Sequence, residues 1–410
     1  MRIADLRSWR TASGGTQVEC DVDGEALWFA SDDAALAASP EAFASALLIP
    51  AATRGEPLEI TAPLDRSWLE RVSVILERAR EWWQLPGTRV IATDVTDNPR
   101  ARPGTIGQCF TGGVDSFHAL IYAQTPPAVL VYAQGYERNR LVDAFLPGFR
   151  EIAAAFGARA VLISTNLRRH SALRGIDWDK SHGGALAALG HVLSEEIERL
   201  VIPSSYPYHD SKPWGSHWEL DHLWSSRRLA VEHADATLRR DGKVRAIADR
   251  KMVQRHLHVC FDPQTGNCSR CEKCVRTMIS LAMCGRLYDC ETFDHTRPLE
   301  RRVDNLPVLK PHLISIYEDL LRGIDDPRLK SAVERLITHS RGRPAWWFKR
   351  VRRRRRSIKT RKHDGPTRRV RRTIQEMARR TPAPLRHLAK QTLVPTRFLQ
   401  WLYPGGLDSR

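Results

Sequence analysis

Residues 108–118 read Gln-Cys-Phe-Thr-Gly-Gly-Val-Asp-Ser-Phe-His. This stretch follows a short apolar run at 106–110 and precedes a helical pattern at 116–123, so it predicts a strand, a glycine turn and a helix. Two adjacent glycines lack a Cβ, which lets backbone N–H groups approach an anion closely. The start of the following helix adds free N–H groups and a partial positive charge. The stretch therefore predicts a phosphate-binding turn, with an ordinary strand-to-helix connection as the alternative.

The chain beyond this turn continues to alternate between the two kinds of element. Strands are predicted at 106–110, 128–133, 160–164 and 200–202, and helices at 116–123, 140–156 and 183–198. This alternation is typical of the α/β class, with a parallel sheet covered by helices on both faces. Ligands bind such sheets beyond the carboxyl ends of the strands. Four of those ends are predicted to lie at 111–116, 134–136, 165–166 and 204–206.

Four segments are predicted along the chain. Residues 1–104 form an N-terminal α+β lobe with strands at 26–30 and 89–92 and a helix at 67–83. Residues 105–300 form the nucleotide-binding region and contain a cysteine cluster flanked by helices at 245–252 and 276–287. Residues 301–340 form a helical extension, with one or two helices at 307–339. Residues 341–410 form a basic tail.

The net charge of +17 belongs to that tail. Residues 341–410 hold 22 Lys and Arg and three acidic residues, so the rest of the chain is close to neutral. Dense arginine, as in the run 352–356, neutralises phosphates and favours RNA or DNA binding. A basic segment with aromatic ends also suits an anionic membrane surface. A solvated, partly disordered tail without a fixed partner is the third interpretation.

Composition gives a further expectation about the compartment. The chain has no long uncharged apolar run, and its first ten residues lack the layout of a signal peptide. We therefore expect a soluble, cytoplasmic protein whose eight cysteines are thiols or metal ligands. Nothing in the sequence indicates an oligomeric state.

Four of the cysteines have the spacing C-x7-C-x2-C-x2-C. They are Cys260, Cys268, Cys271 and Cys274. Three thiolates fall on one tight knuckle, and the first cysteine can complete a tetrahedron, which is the arrangement that structural Zn²⁺ prefers. An iron–sulfur cluster also suits four cysteines, and unliganded thiols are the remaining alternative. The other cysteines are scattered and are interpreted as core residues.

The segment 206–226 is rich in flat side chains, with two Tyr, three Trp and three His. It follows the strand at 200–202, which places it on the ligand side of the sheet. Such a loop can stack a ring-shaped small-molecule substrate, and a loop packed over the site for structural reasons is the alternative. The run Ser181-His-Gly-Gly184 is interpreted as a second anion-favouring turn at the start of a helix. The candidate substrate residues are His182, Ser204, Tyr206, His217 and Asp221.

The string Thr111-Gly-Gly-Val-Asp-Ser116 resembles the SGGxDS signature of the PP-loop ATPases, with Thr111 keeping the hydroxyl of the usual serine. The resemblance implies a Rossmann-like fold of the PP-loop (HUP) type that binds ATP with Mg²⁺. It also implies catalytic roles for Asp115 and Ser116, with Asp115 near Mg²⁺, and an adenine contact near Gln134. The implied phosphate-binding residues are Thr111, Gly112, Gly113, Val114, Asp115 and Ser116.

A PP-loop followed by one four-cysteine knuckle resembles 7-cyano-7-deazaguanine synthase and its relatives in queuosine biosynthesis. In that family zinc occupies the knuckle, and a carboxylate is adenylated before ammonia displaces AMP. The segment 206–226, the N-terminal lobe and the tail depart from the family, so the resemblance implies ATP and Zn²⁺ without fixing the deazaguanine substrate.

The leading hypothesis is an AMP-forming ligase that adenylates a carboxylate or a heterocyclic carbonyl for attack by ammonia or another nucleophile. The alternatives are a tRNA-modifying PP-loop enzyme that holds RNA with its tail, and a non-catalytic ATP-binding assembly protein.

Overall fold

A computed structural model describes residues 1–97, 104–136, 142–234, 236–260 and 266–341, with the backbone alone for 142–143. The chain divides into two compact units, Met1–Ile337 and Thr338–Arg410. Nearly all of the second unit, and with it the RNA or membrane contact predicted for the basic tail, lies outside the described residues. Within the described ranges, no helix is both long enough and apolar enough to cross a membrane.

The described ranges form twelve strands and eleven α-helices. The strands are β1 (Arg2–Arg10), β2 (Thr16–Val22), β3 (Glu25–Ser31), β4 (Leu58–Ile60), β5 (Leu64–Asp65), β6 (Val90–Ala92), β7 (Val95–Thr96), β8 (Ile106–Cys109), β9 (Val129–Gln134), β10 (Arg159–Thr165), β11 (Arg199–Ile202) and β12 (Ala230–His233). The helices are α1 (Pro40–Arg54), α2 (Arg66–Trp83), α3 (Val114–Ile121), α4 (Val142–Ala155), α5 (Trp178–Val192), α6 (Arg240–Ile247), α7 (Lys251–His256), α8 (Glu272–Met283), α9 (Leu299–Asp304), α10 (Pro311–Leu321) and α11 (Pro327–Arg341).

Ten of the strands form one mixed, mostly parallel sheet, in the order β12-β11-β8-β9-β10-β3-β2-β1-β4-β6. The five strands from β12 to β10 are parallel to one another. From β8 the chain adds β9 and β10 on one side, and then crosses back to add β11 and β12 on the other. This is the doubly wound, Rossmann-like arrangement, and its strand order reverses between β8 and β11.

Both faces of the parallel region are covered, as predicted. In β9, Val129, Val131 and Ala133 belong to one apolar cluster, which includes residues of α1, α2 and α5. The alternate residues, Leu130 and Tyr132, belong to a second cluster formed with α3, α4 and α6 to α11. Strands buried on both faces are continuously apolar, because successive side chains point to opposite sides of the sheet.

The N-terminal residues extend this sheet. Strand β3 pairs antiparallel with β10, and β2, β1, β4 and β6 follow outward. Residues on both sides of the predicted boundary at residue 104 contribute to one continuous sheet. The N-terminal lobe is therefore joined to residues 105–300 through main-chain hydrogen bonds between β3 and β10. Helix α1 was not predicted from the sequence. It is buried along nearly all of its length, so it lacks the amphipathic pattern that reveals surface helices.

Helix α5 corrects one prediction. It begins at Trp178, with Asp177 capping its first turn, so Gly183 and Gly184 lie inside the helix and form no anion-binding turn. A Cβ at Gly184 would stand 2.1 Å from the carbonyl oxygen of Ser45, and one at Gly183 would stand 1.8 Å from that of Gly215. These glycines therefore serve the close approach of α5 to its neighbours.

Candidate functional site

The glycine turn lies at the reversal point of the sheet, beyond the carboxyl end of β8. Gly112 has φ +71°, a left-handed conformation that favours glycine, and a Cβ there would stand 3.2 Å from the ring of Phe145. The Ser116 hydroxyl donates to the Gly113 carbonyl at 3.0 Å and accepts from the Thr111 N–H at 3.4 Å. The turn is thus closed by its own hydrogen bonds and leads directly into α3.

Four of the six predicted loop residues line a cavity of about 60 Å³, and Gly112 and Val114 do not. Thr111, Gly113, Asp115 and Ser116 contribute to its wall. Val114 is fully buried in the core, so its side chain packs and only its backbone is available to a ligand. Residues distant in sequence complete the wall, among them Arg240, His258, Cys260 and Lys273.

Two basic residues of α6 reach Asp115, and sequence reasoning missed both. Arg240 Nη1 lies 2.8 Å from Asp115 Oδ2, and Lys243 Nζ lies 3.6 Å from Asp115 Oδ1. Lys243 is only 2% exposed and donates to the carbonyl and hydroxyl oxygens of Ser204, at 2.7 and 2.8 Å. The i, i+3 spacing of the two cations was the available signal. Nothing local, however, placed their helix beside the glycine turn.

A larger cavity of about 330 Å³ adjoins the first, and Asp115, Arg240 and Lys273 line both. Its volume falls in the range of small-molecule sites. Tyr206 and Trp214 contribute aromatic surface, and the remaining wall comes largely from α6, α8 and α10. Its basic side chains are Lys212, Arg239, Arg240, Lys273, Arg276 and Lys310; its acidic side chains are Asp115, Asp210, Asp241, Glu272 and Asp319.

Several of these charges are already paired with one another. Arg239 pairs with Asp319 and also lies 3.7 Å from Asp210. Arg276 Nε lies 2.9 Å from Glu272 Oε1. Lys212 Nζ stands 5.4 Å from the centre of the Tyr206 ring, within cation–π range. Burial raises the pKa of Tyr206, so its hydroxyl is a donor at neutral pH.

Three predicted substrate residues instead organise the segment 206–226. Asp221 is fully buried and accepts from the Ser216 hydroxyl at 2.7 Å and from the His217 N–H at 3.2 Å, and His233 Nδ1 lies 2.7 Å from its Oδ2. His182 Nε2 accepts from the Ser216 N–H at 3.3 Å, and burial lowers the pKa of this histidine. His217 packs against Trp82 with ring centres 4.7 Å apart. None of these three residues lines either cavity.

Two further predicted residues lie apart from the cavities. Gln134 is exposed at the end of β9, and its Oε1 accepts from the Ser164 hydroxyl at 2.9 Å. The chain that follows it, 137–141, lies outside the described residues, so the predicted adenine contact remains a prediction. Ser204 is buried, and its described role is to accept hydrogen bonds from Lys243.

The four predicted cysteines come together. All their sulfur atoms lie within 4.8 Å of one another, with Cys260 and Cys271 at 3.8 Å and Cys268 and Cys274 at 3.9 Å. A tetrahedral ion with metal–sulfur bonds of about 2.3 Å requires edges of about 3.8 Å. The cluster is therefore positioned to bind a metal ion such as zinc.

Local hydrogen bonds shape this cluster. The Cys271 N–H donates to Cys268 Sγ at 3.3 Å, and the Cys274 N–H donates to Cys271 Sγ at 3.4 Å. Hydrogen bonding from the Cys274 thiol, as the main cause, lowers the pKa of Cys271 to about 5. Asn267 Oδ1 accepts from the Val259 and Cys260 N–H groups at 2.9 and 3.2 Å.

The four-cysteine cluster is coupled to the glycine turn through the residues that precede Cys260. The His258 N–H donates to the Gly112 carbonyl at 2.7 Å, and Cys260 lines the small cavity two residues later. Cys271 caps α8, which supplies Lys273 and Arg276 to the cavity walls. The cluster therefore positions two of the elements that surround the predicted phosphate site.

Comparison with protein-family models, with curated proteins and with solved structures gives no match to this chain. The functional interpretation therefore depends on the site's own geometry.

Proposed function

We propose that this chain binds ATP at residues 111–116 and transfers AMP to an acceptor held in the adjoining larger cavity. One observation carries the proposal: a glycine turn with a left-handed Gly112 lies at the reversal point of a doubly wound sheet, beside a small cavity that shares three lining residues with a larger one. Ligands of such sheets bind at this point. Residues 111–116 resemble the PP-loop signature. This resemblance implies that the nucleotide is ATP and that it is cleaved to AMP and pyrophosphate.

The donors of the turn suit a phosphate chain. Backbone N–H groups at the start of α3 and the hydroxyls of Thr111 and Ser116 surround the small cavity. Asp115 Oδ1 is buried and has no hydrogen-bond partner among the described residues, although it forms an ion pair with Lys243 Nζ at 3.6 Å. One carboxylate oxygen together with phosphate oxygens is the ligand set that Mg²⁺ commonly takes, so this oxygen fits a magnesium site. Bound there, Mg²⁺ would neutralise charge as pyrophosphate leaves.

The larger cavity suits a flat, anionic acceptor. Tyr206 and Trp214 offer aromatic surface, and Lys212, Lys273 and Lys310 supply positive charge to the wall. A carboxylate acceptor would be held by these cations with its oxygen directed toward the small cavity. Its approach to the nucleotide would pass Asp115 and Arg240, which line both spaces.

The proposed reaction has two steps. An oxygen of the acceptor attacks the α-phosphorus of ATP, which forms an oxygen–phosphorus bond and breaks the bond to the leaving pyrophosphate. Ammonia or another nucleophile then attacks the activated carbon and displaces AMP, and the nucleophile loses one proton. The site contributes mainly orientation and charge stabilisation to both steps.

We assign zinc to the four-cysteine cluster in this proposal. Two sulfur pairs are 3.8 and 3.9 Å apart and all four sulfurs lie within 4.8 Å of one another, so the cluster encloses one ion and leaves no room for a multi-iron cluster. All four ligands come from the protein, which is the pattern of a structural site. The ion would hold the start of α8 and the residues before Cys260 in place.

The test is a product assay with ATP, Mg²⁺ and candidate carboxylate acceptors. We expect AMP and pyrophosphate from the wild-type chain and their loss in Asp115→Ala with the fold intact, as checked by circular dichroism. Asp289→Ala is the matched control, because Asp289 is exposed and lines neither cavity. Formation of ADP and phosphate would refute AMP transfer. Tight ATP binding without AMP formation with any acceptor would favour the non-catalytic assembly protein.

A further inference from the structure

Arg240 lies where the two cavities meet. It is the first residue of α6, and its side chain is 18% exposed. Burial lowers the pKa of Arg240, and the neighbouring Asp115 opposes that shift. A guanidinium this far from solvent requires compensation from nearby anions or acceptors.

Only part of that compensation is present among the described residues. Nη1 bonds to Asp115, whereas Nε and Nη2 are buried and have no hydrogen-bond partner there. Buried donors without partners are uncommon and costly. Nε and Nη2 form one edge of the planar guanidinium, and such an edge binds two oxygens of a phosphate or carboxylate at once.

We propose that the Nε–Nη2 edge of Arg240 binds phosphate oxygens of the nucleotide, in competition with the negative charge of Asp115. This inference rests on the proposed nucleotide site and adds a phosphate-binding residue that the PP-loop signature does not contain. Before the ligand arrives, Asp115 is ion-paired with both Arg240 and Lys243, and its single negative charge offsets only one of their two positive charges. When the phosphate chain enters, Arg240 shares its charge with it, and Asp115 becomes available to a divalent cation.

The competition gives Asp115 two opposite effects. With Mg²⁺ present, its carboxylate helps to bind the phosphate chain through the metal. Without a divalent cation, the same carboxylate lies beside the phosphate and repels it. Substitution of Asp115 by asparagine should therefore weaken metal-dependent binding and strengthen metal-free binding.

The experiment is calorimetric titration of the full chain with inorganic pyrophosphate in the presence of a chelator of Mg²⁺ too weak to remove the cysteine-bound metal. We expect Arg240→Gln to lower the affinity by about tenfold or more, the scale of one bidentate charge-assisted contact. Arg240→Lys should retain part of the affinity, because lysine keeps the positive charge but lacks the two parallel donors of the Nε–Nη2 edge. Arg245→Gln, an exposed arginine of the same helix that lines neither cavity, should stay within about twofold of wild type.

The double substitution tests the competition itself. Asp115→Asn should raise the metal-free affinity for pyrophosphate, and this gain should vanish when Arg240→Gln is added. Wild-type affinity in Arg240→Gln, no binding by the wild-type chain, or a gain that persists without Arg240 would each overturn the inference. If Arg240→Gln lowers the melting temperature, the inference is judged on the pyrophosphate affinities of Arg240→Lys and Asp115→Asn instead. Because the readout is binding of pyrophosphate, it does not depend on whether AMP is ever formed.

Discussion

At the scale of single residues, the site depends on how charge is distributed around Asp115. The carboxylate faces Arg240 and Lys243, and Lys243 also bonds to Ser204 at the end of β11. One ionic cluster thus joins the turn after β8 to the chain after β11. A change at any of these positions acts on both sides of the reversal point, so its effects on binding and on stability must be measured separately.

Gly112 offers a test in which those two effects differ. Gly112→Ala places a Cβ in a left-handed conformation, which should lower the free energy of unfolding by about 1–2 kcal/mol. It also crowds Phe145, whose ring lies 3.2 Å from the new Cβ position, so the turn should shift and ATP affinity should fall. Denaturant unfolding and ATP titration measure the two effects.

The control for Gly112 is Gly157→Ala. Gly157 has φ +67° and nothing within 4 Å of a new Cβ, so it carries the conformational cost alone. We expect a similar loss of stability with unchanged ATP binding. Equal ATP affinity in both variants would show that the conformation of the turn does not matter for the nucleotide.

At the scale of elements, α8 connects the four-cysteine cluster to the cavities. Its first turn is capped by Cys271, and Lys273 and Arg276 follow within the next turns. Helix starts are otherwise held by side-chain caps or by packing alone. Binding of a metal at the cap would therefore fix the direction in which the basic side chains of α8 point.

Cys271→Ser should remove that constraint. We expect loss of bound metal, a lower melting temperature and weaker binding of ATP, because four-ligand metal binding contributes directly to folding. Cys284→Ser is the matched control, since this half-exposed cysteine follows the end of α8 and lies outside the cluster. Metal analysis that finds iron, or full metal content in Cys271→Ser, would contradict the zinc assignment.

At the scale of the whole molecule, charge is divided unevenly along the chain. The last 70 residues hold the net positive charge, and the preceding part is nearly neutral. The cations at the cavities are a local feature of the folded body, partly balanced by neighbouring acids. Long-range attraction of a polyanion is therefore expected from the tail, and recognition of a small anion from the cavities.

Truncation after residue 341 separates these two roles. We expect the full chain to bind single-stranded RNA or anionic vesicles, with an affinity that falls steeply as salt is raised, and the shortened chain to lose that binding. Its melting temperature and its ATP affinity should stay unchanged. Comparison of RNA with vesicles identifies the preferred partner of the tail. Unchanged binding of both after truncation would show that the tail is not the contact surface.

The alternating strands and helices after residue 106, the helices on both faces and the four-cysteine cluster were predictable from sequence. Their signals are local: continuous apolar runs, glycine turns and fixed cysteine spacing. Helix α1 and the short strand β12 escaped prediction because neither carries a periodic or terminal signal that distinguishes it. The roles of His182 and Asp221 also escaped prediction, because a polar side chain that organises its own loop resembles a ligand-binding one in sequence.

The sequence by itself determined the turn at 111–116 and the knuckle at 260–274, since each is formed by neighbouring residues whose chemistry and spacing suffice. Only the tertiary structure decided that the N-terminal strands extend the same sheet, and that α6 brings Arg240 and Lys243 to Asp115. The contacts of Asp115 with Arg240 and Lys243 join residues that are at least 125 positions apart in the sequence. They follow from the crossover of the chain at the reversal point, which no local pattern encodes.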